Sequence, residues 1–274
     1  MDDKRNGFNL EKKTAIVTGG SGILGLEFCR TLAENGANVV LVDKTYEQAS
    51  LAVDKLLTGN QVLKIIPMQC DVTNVDEVNK IVVETVGQFG SIDILHNNAA
   101  TKTADLSDFF EPFETYNLNT WREVMSVNLD GMFLMAQAVG RQMLKQSSSS
   151  SIIQTSSIYG VVAPDKRIYS GSNYLGREIN TPAVYAASKS AVIGLTRYLA
   201  AYWGESNIRV NSLSPGGIES GQNMTFKNLY SNRVPLGRMG RADELNSALL
   251  FLASDASSYM TGQNLIIDGG LTCW

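Results

Sequence analysis

Tyr185 and Lys189, four residues apart in "YAASK", would project a phenol and an ammonium from one face of a helix about one turn apart. A phenol ionises near pH 10 and is a poor base at neutral pH, but a neighbouring cation favours the phenolate. The pair could therefore exchange a proton with an alcohol. The same spacing also describes an ordinary solvated pair on a helix surface. A second pattern is "TGGSGILG", Thr18 to Gly25, which packs four glycines between an apolar run and a stretch with helical spacing. Glycine inside a helix costs roughly 1 kcal/mol against alanine, so the cluster implies a sharp turn or a backbone lying against something. A strand, a glycine-rich turn and a helix N-terminus together can hold a dinucleotide pyrophosphate. Asp43 closes the next apolar run, where a carboxylate can accept hydrogen bonds from adenosine ribose hydroxyls. It would repel a 2′-phosphate, and neither Gly20 nor Ser21 offers a basic group for one, so NAD(H) is favoured over NADP(H) despite the neighbouring Lys44. A bare strand-to-helix turn would carry the same glycines.

Elements of fixed order must bring these groups together. Short β-rich runs alternate with helical patterns: "TAIVT", a helix from Ile23 to Asn35, "NVVLVD", a helix through Leu56, "VLKIIPMQ", and a helix from Val75 to Phe89 with Thr73 as N-cap. "IDILHN", a long helix from Trp121 to Leu144, "SIIQT", a helix from Val184 to Trp203, "IRVNSL", a helix from Ala242 to Leu252 and "NLIID" complete the series. Leu24, Phe28 and Leu32 form one apolar stripe on the first helix. Several strands are apolar throughout, which points to a mostly parallel sheet of about seven strands covered by helices on both faces. The expectation is one doubly wound α/β domain over residues 1–274.

Composition narrows the function classes. With 23 basic and 27 acidic residues the net charge is −4, which gives no basic field for nucleic acid or an anionic membrane. Cys29, Cys70 and Cys273 are too few and too scattered for a disulfide framework or a zinc site, and one histidine, His96, cannot build a metal centre. The charged N-terminus lacks a signal-peptide core and no run is long enough to span a bilayer, so a soluble, cytoplasmic protein without a metal is expected.

The chain resembles the short-chain dehydrogenases/reductases along nearly its whole length, through "TGGSGILG", "NNAA", "VNLDG", "TSSIYG", "YAASK", "NSLSPGGI" and "MTGQNLIIDGG". That resemblance implies Tyr185 as general acid/base, Lys189 as holder of the nicotinamide ribose, Ser157 as hydrogen-bond partner of the substrate oxygen and Asn128 as anchor of a relay water. It implies cofactor contacts from Gly19, Ser21, Gly22, Ile23, Leu24, Gly25, Asp43, Lys44, Asp71, Val72, Asn98, Ala99 and Ala100. Later in the chain, Pro215, Gly216, Ile218 and Ser220 join them, with Tyr185 and Lys189. A homo-oligomer, tetramer or dimer, is implied as well.

Two departures stand out. The spacing TGxxGxxG of Gly19, Gly22 and Gly25 is that of the family's extended branch, which includes nucleotide-sugar epimerases and dehydratases, whereas length and C-terminus resemble the compact branch. Ser157 and Tyr185 are 28 positions apart, farther than compact members commonly place them, which makes residues 163–182 an insertion at the ligand-binding edge of the sheet. Lys166, Arg167, Tyr169, Tyr174 and Arg177 in it could wall the substrate, with basic groups for a phosphate and hydroxyls for a sugar. A solvated loop or an oligomer contact would explain the insertion equally well. A second substrate segment is expected at about 217–240. The resemblance leans toward dehydrogenases of bacterial surface-glycan and flagellin-modification pathways. The reaction expected is interconversion of a secondary alcohol and a ketone on a sugar-like substrate; an epimerase or dehydratase using the hydride transiently, or a cofactor-binding module without chemistry, are the rivals.

Overall fold

The computed structural model describes residues 7–59, 62–103, 105–146, 148–174 and 177–274; the side chains of Tyr174 and Arg177 also lie outside the described part. The chain runs β1 (Thr14–Thr18), α1 (Ile23–Glu34), β2 (Asn38–Asp43), α2 (Tyr46–Leu57), β3 (Ile65–Gln69), α3 (Val75–Phe89) and β4 (Ile94–Asn97). There follow α4 (Leu106–Phe109), α5 (Leu118–Met125), α6 (Met132–Gln146), β5 (Ser150–Thr155) and a two-residue hairpin pair, β6 (Asn173–Tyr174) and β7 (Arg177–Glu178). The last elements are α7 (Ala183–Trp203), β8 (Ile208–Pro215), α8 (Met224–Ser231), α9 (Asn246–Ala253) and β9 (Asn264–Ile267).

Among the described residues seven strands form one parallel sheet in the order β3-β2-β1-β4-β5-β8-β9. Strands β1, β5 and β8 are buried over their whole length, because α1, α2 and α9 cover one face with a core around Phe28, Leu32, Leu41, Leu249 and Leu252. On the other face α3, α6 and α7 pack a second core around Ile81, Leu95, Met135, Val139 and Trp203. Burial on both faces is why β1 and β2 read as nearly unbroken apolar runs, whereas β5 and β8 bury Ser151, Gln154, Arg209 and Asn211 as hydrogen-bonded polar groups. The order reverses between β1 and β4, and the crevice this opens at their carboxyl ends is where open α/β sheets take ligands. Among the described residues no helix is long and apolar enough to cross a membrane.

Two expectations need correction. Asn74, not Thr73, caps α3, its Oδ1 accepting from the amides of Asp76 and Glu77; Thr73 instead donates its hydroxyl to Asp71 at 2.7 Å. The long helix expected from Trp121 to Leu144 is broken, with Ser126–Gly131 forming a wider π-type turn between α5 and α6. Gly131 in that turn lies against Val72, whose Cγ2 would be 2.6 Å from any added Cβ, and Asn128 turns inward to accept from the Thr101 amide at 2.8 Å. The inward-facing residues of that turn are Asn128 and Gly131, so it carries no apolar stripe from which its wider period could be read.

Candidate active site

The glycine loop forms a cradle with different demands at each position. Gly19 adopts a left-handed φ of +62°, and an added Cβ would lie 2.9 Å from the Ala99 Cα; at Gly25 it would be 2.1 Å from the Gly19 carbonyl oxygen. Those two glycines are required by the protein's own packing. Gly22 differs: its backbone is extended, its added Cβ would meet nothing closer than 3.4 Å, and it is exposed. The space it leaves open lies in front of the α1 N-terminus, which has no side-chain cap. Free helix amides behind an open glycine fit a pyrophosphate. Beside them, Ser21 donates to Asp43 from its amide at 3.0 Å and from its hydroxyl, and Asp43 also accepts from the Lys44 amide. Lys44 Nζ is 3.1 Å from the Asp71 carboxylate, which hydrogen bonds from Thr73 chiefly hold below the usual carboxylate range. Ile23 is exposed, Leu24 half-buried and Ala100 exposed along the same rim, with Val72 buried beneath it. These residues fit an adenine dinucleotide.

The proton-handling groups meet one strand further on. Tyr185 and Lys189 stand on α7 as spaced, with Lys189 Nζ 5.8 Å from the centre of the Tyr185 ring. The Lys189 side chain is fully enclosed and donates to the Thr155 carbonyl at 2.8 Å; burial depresses its pKa to about 8. Tyr185 is paired with Ser157, which favours the phenolate, yet burial outweighs that contact and raises the phenol above its ordinary value. Burial, rather than the neighbouring cation, sets the direction of this shift. Asn128 is fully buried; besides accepting from Thr101, its amide donates weakly to Ser188 Oγ at 3.4 Å. Asn98 spends its side chain on the carbonyls of Thr18 and Gly19, each at 3.3 Å, and accepts from Thr155 Oγ1 at 3.2 Å. His96 is a packing residue: buried against Phe28 at 4.6 Å, it touches Thr155 Oγ1 at 2.8 Å, and burial lowers its pKa to about 3.

A cavity of about 300 Å³ opens in front of Ser157 and Tyr185. Phe109, Phe110 and Lys102 wall one side, Tyr159, Tyr169 and Thr181 another, and Gly216, Gln222, Phe226 and Tyr230 close it. The segment after β8 supplies that closing wall: Pro215 ends the strand, Gly216 would clash with the Asp268 Cα at 2.7 Å if it bore a Cβ, and Ile218 bridges to Gly240. Ser220 lies outside the lining, exposed and bonded to Gln222.

The insertion is built as a wall of this cavity through Tyr169, whose ring packs on Phe226 of α8 at 5.5 Å. Asp165 ties it down further by pairing with Arg233, just past α8, and Ser172 bonds to Asn223 at 3.4 Å. Its basic residues do not serve the cavity as expected. Arg167 is exposed and paired with Asp165 at 2.8 Å, and Lys166 lines an outer cleft of about 700 Å³ that also holds Glu114 and Glu178 and shares Tyr169, Thr181 and Pro182 with the cavity. Tyr174 and Arg177 take part in the hairpin by their backbones, and their side chains lie outside the described part. Sequence reasoning missed Lys102, Phe109 and Tyr159, and it expected the segment 217–240 without naming Gln222 and Tyr230 in it. Of these, only Tyr159 carried a usable signal, standing two residues after Ser157.

A family model described as enoyl-(acyl carrier protein) reductase matches residues 19–272. The chain belongs to the short-chain dehydrogenase/reductase family. Within that family it is 34% identical to a galactitol 2-dehydrogenase (L-tagatose-forming) of Cereibacter sphaeroides, over 99% of this chain and all of the relative. It is 33% identical to an NAD-dependent glycerol dehydrogenase of Listeria innocua, covering 97% of this chain and 96% of that one. Among solved structures, a gluconate 5-dehydrogenase from Burkholderia cenocepacia in complex with NADP and tartrate superposes with a TM-score of 0.84, at 34% identity and 98% coverage of both chains. Membership makes the protein an oxidoreductase.

The cradle is checked by two single substitutions. Gly22→Ala should cost at most about 1 kcal/mol of stability while weakening NADH binding roughly tenfold. Gly25→Ala should destabilise the fold by about 1–3 kcal/mol or more. Urea unfolding and NADH fluorescence titration on both variants separate the two effects, and equal loss of stability in both would refute the division of roles.

Proposed function

We propose that the protein interconverts a secondary alcohol and a ketone on a small sugar or sugar alcohol, with NAD(H) as the preferred cofactor. The observation that carries the reading is Tyr185, paired with Ser157 and one turn before the buried Lys189, at the floor of a cavity lined by hydroxyl and amide groups as well as aromatic rings. The kinship with galactitol and glycerol dehydrogenases supports a polyhydroxylated substrate.

The nicotinamide supplies the acceptor or donor of hydride when it is bound; the remaining tasks fall to the chain. Gly19, Ser21, Gly22 and Gly25 would seat the pyrophosphate, Asp43 the adenosine ribose and Asp71 the adenine side. In alcohol oxidation Tyr185 takes the hydroxyl proton, and in ketone reduction it returns one. Ser157 donates to the substrate oxygen as charge develops there. Lys189 holds the nicotinamide ribose and presents its charge to Tyr185, offsetting the burial that otherwise keeps the phenol protonated. Asn128 would hold the π-type turn so that a proton path can pass behind Lys189. NAD(H) is favoured because Asp43 stands where a 2′-phosphate would sit and Lys44 is engaged by Asp71. A cytoplasmic homo-oligomer, tetramer or dimer, completes the proposal.

Three measurements test it. Tyr185→Phe should lower the rate of NAD reduction across a panel of polyols by about two to four powers of ten while NADH still binds; an active variant sinks the role given to this residue. Since burial raises Tyr185, the base form is scarce at neutral pH. The initial rate of alcohol oxidation should therefore climb from pH 7 to pH 10 while that of ketone reduction, which uses the abundant phenol, holds nearly level, and parallel profiles would contradict the assignment. Asp43→Ala should shift the ratio of kcat/KM for NADP against NAD upward about tenfold or more; a wild-type enzyme that already prefers NADP overturns the cofactor choice.

A further inference from the structure

Three hydroxyls on the insertion side of the cavity form a ladder whose protons do not balance. Tyr169 donates to Tyr159 Oη at 3.4 Å and is also bonded to Thr181 Oγ1. A phenol has a single proton, so with Tyr169 donating to Tyr159, Thr181 must donate to Tyr169. The Tyr159 proton is then left without an acceptor among the described residues. If the ladder ran the other way, the surplus proton would fall to Thr181 instead. In both orientations one hydroxyl proton remains unspent at an end of the ladder, and Tyr159, Tyr169 and Thr181 all line the cavity in front of Tyr185. The Tyr159–Tyr169 contact is long for an O–H···O bond, so a ligand oxygen can compete for that position. Burial raises the pKa values of Tyr159 and Tyr169 alike, keeping both as neutral donors throughout the physiological range.

We propose that Tyr159, backed by Tyr169 and Thr181, is a specificity-determining residue that donates to a second oxygen of the substrate, so that the enzyme selects polyhydroxylated chains over monofunctional alcohols. The inference rests on the alcohol–ketone reading given above and deepens it. Ser157 and Tyr185 address the reacting oxygen; the ladder addresses another. Two of its members, Tyr169 and Thr181, come from the segment lengthened between Ser157 and Tyr185, which gives that segment a chemical task. A hydroxyl-recognising site rejects an analogue lacking the hydroxyl because its own buried donor is then left unpaired.

Butane-2,3-diol and butan-2-ol share a carbon skeleton and differ by that one oxygen. Initial rates with both, for the wild type and for Tyr159→Phe, give the ratio of the two kcat/KM values. The wild type should favour the diol by tenfold or more, and Tyr159→Phe should bring the ratio down about tenfold, mainly through KM. Thr181→Val should lower the ratio in the same direction, and Thr181→Ser, which keeps the hydroxyl, should restore it; a purely structural role would move both alcohols together. A ratio unchanged in Tyr159→Phe and Thr181→Val overturns the recognition while leaving the alcohol–ketone reading in place. Turnover of neither alcohol by a wild-type protein that binds NADH overturns both.

Discussion

The carboxyl ends of β1, β4 and β5 are laced by side chains, and the geometry of the site depends on that lacing. Thr18 accepts from the amides of Asn98 and Ala99 at 3.0 and 3.1 Å. Asn98 reaches back to the Thr18 and Gly19 carbonyls, and Thr155 joins Asn98 through its hydroxyl while its carbonyl receives Lys189. Ser156 then bonds to the carbonyl of Lys189 at 2.8 Å. A continuous polar path therefore runs from the glycine loop to the proton-handling helix. Parallel strands end in unpaired backbone groups, and at a crevice those groups must be satisfied without filling the space a ligand needs. Side chains that bond sideways along the strand ends meet both requirements.

The burial of Lys189 follows from the same arrangement. An ammonium enclosed by protein is costly unless it is paired and hydrogen-bonded, and among the described residues Lys189 donates to the Thr155 carbonyl alone. The depressed pKa is the physical record of that cost. Two phenols and a lysine in a confined space also raise one another's sensitivity to charge, so a positive group arriving nearby has a large effect on Tyr185.

Much of this was legible in the residues. The apolar runs marked seven strands along the chain because burial on both faces favours apolar residues at many strand positions, while the order across the sheet came only with the structure. Gly19 and Asp43 could be placed because each sits at a strand end that local patterning defines, whereas Tyr185 and Lys189 took their roles from the family resemblance, their spacing alone fitting a solvated helix pair as well. The wider turn at Ser126–Gly131 was hidden because its inward positions are Asn128 and Gly131, which carry no apolar signal. Lys102 could not be read because it reaches the cavity only through tertiary folding of an irregular segment, whereas Gln222 and Tyr230 fall in the expected substrate segment 217–240 without being singled out in it. The basic residues of the insertion misled for a related reason: charge in a sequence says nothing of its partner, and Asp165 had claimed Arg167 as well as Arg233 from outside the insertion.

That last contact joins two stretches of chain that are far apart in sequence. Asp165 with Arg233, Tyr169 with Phe226 and Ser172 with Asn223 make the insertion and α8 one packed body. Recombination between relatives with a crossover after residue 182 and before residue 217 would separate the two halves of that body. Each half would arrive beside a partner shaped for something else, exposing Tyr169 or Phe226. Substrate preference in this lineage would then be inherited as a matched pair of segments, and exchange of either alone would be selected against for reasons of packing before any question of catalysis arose.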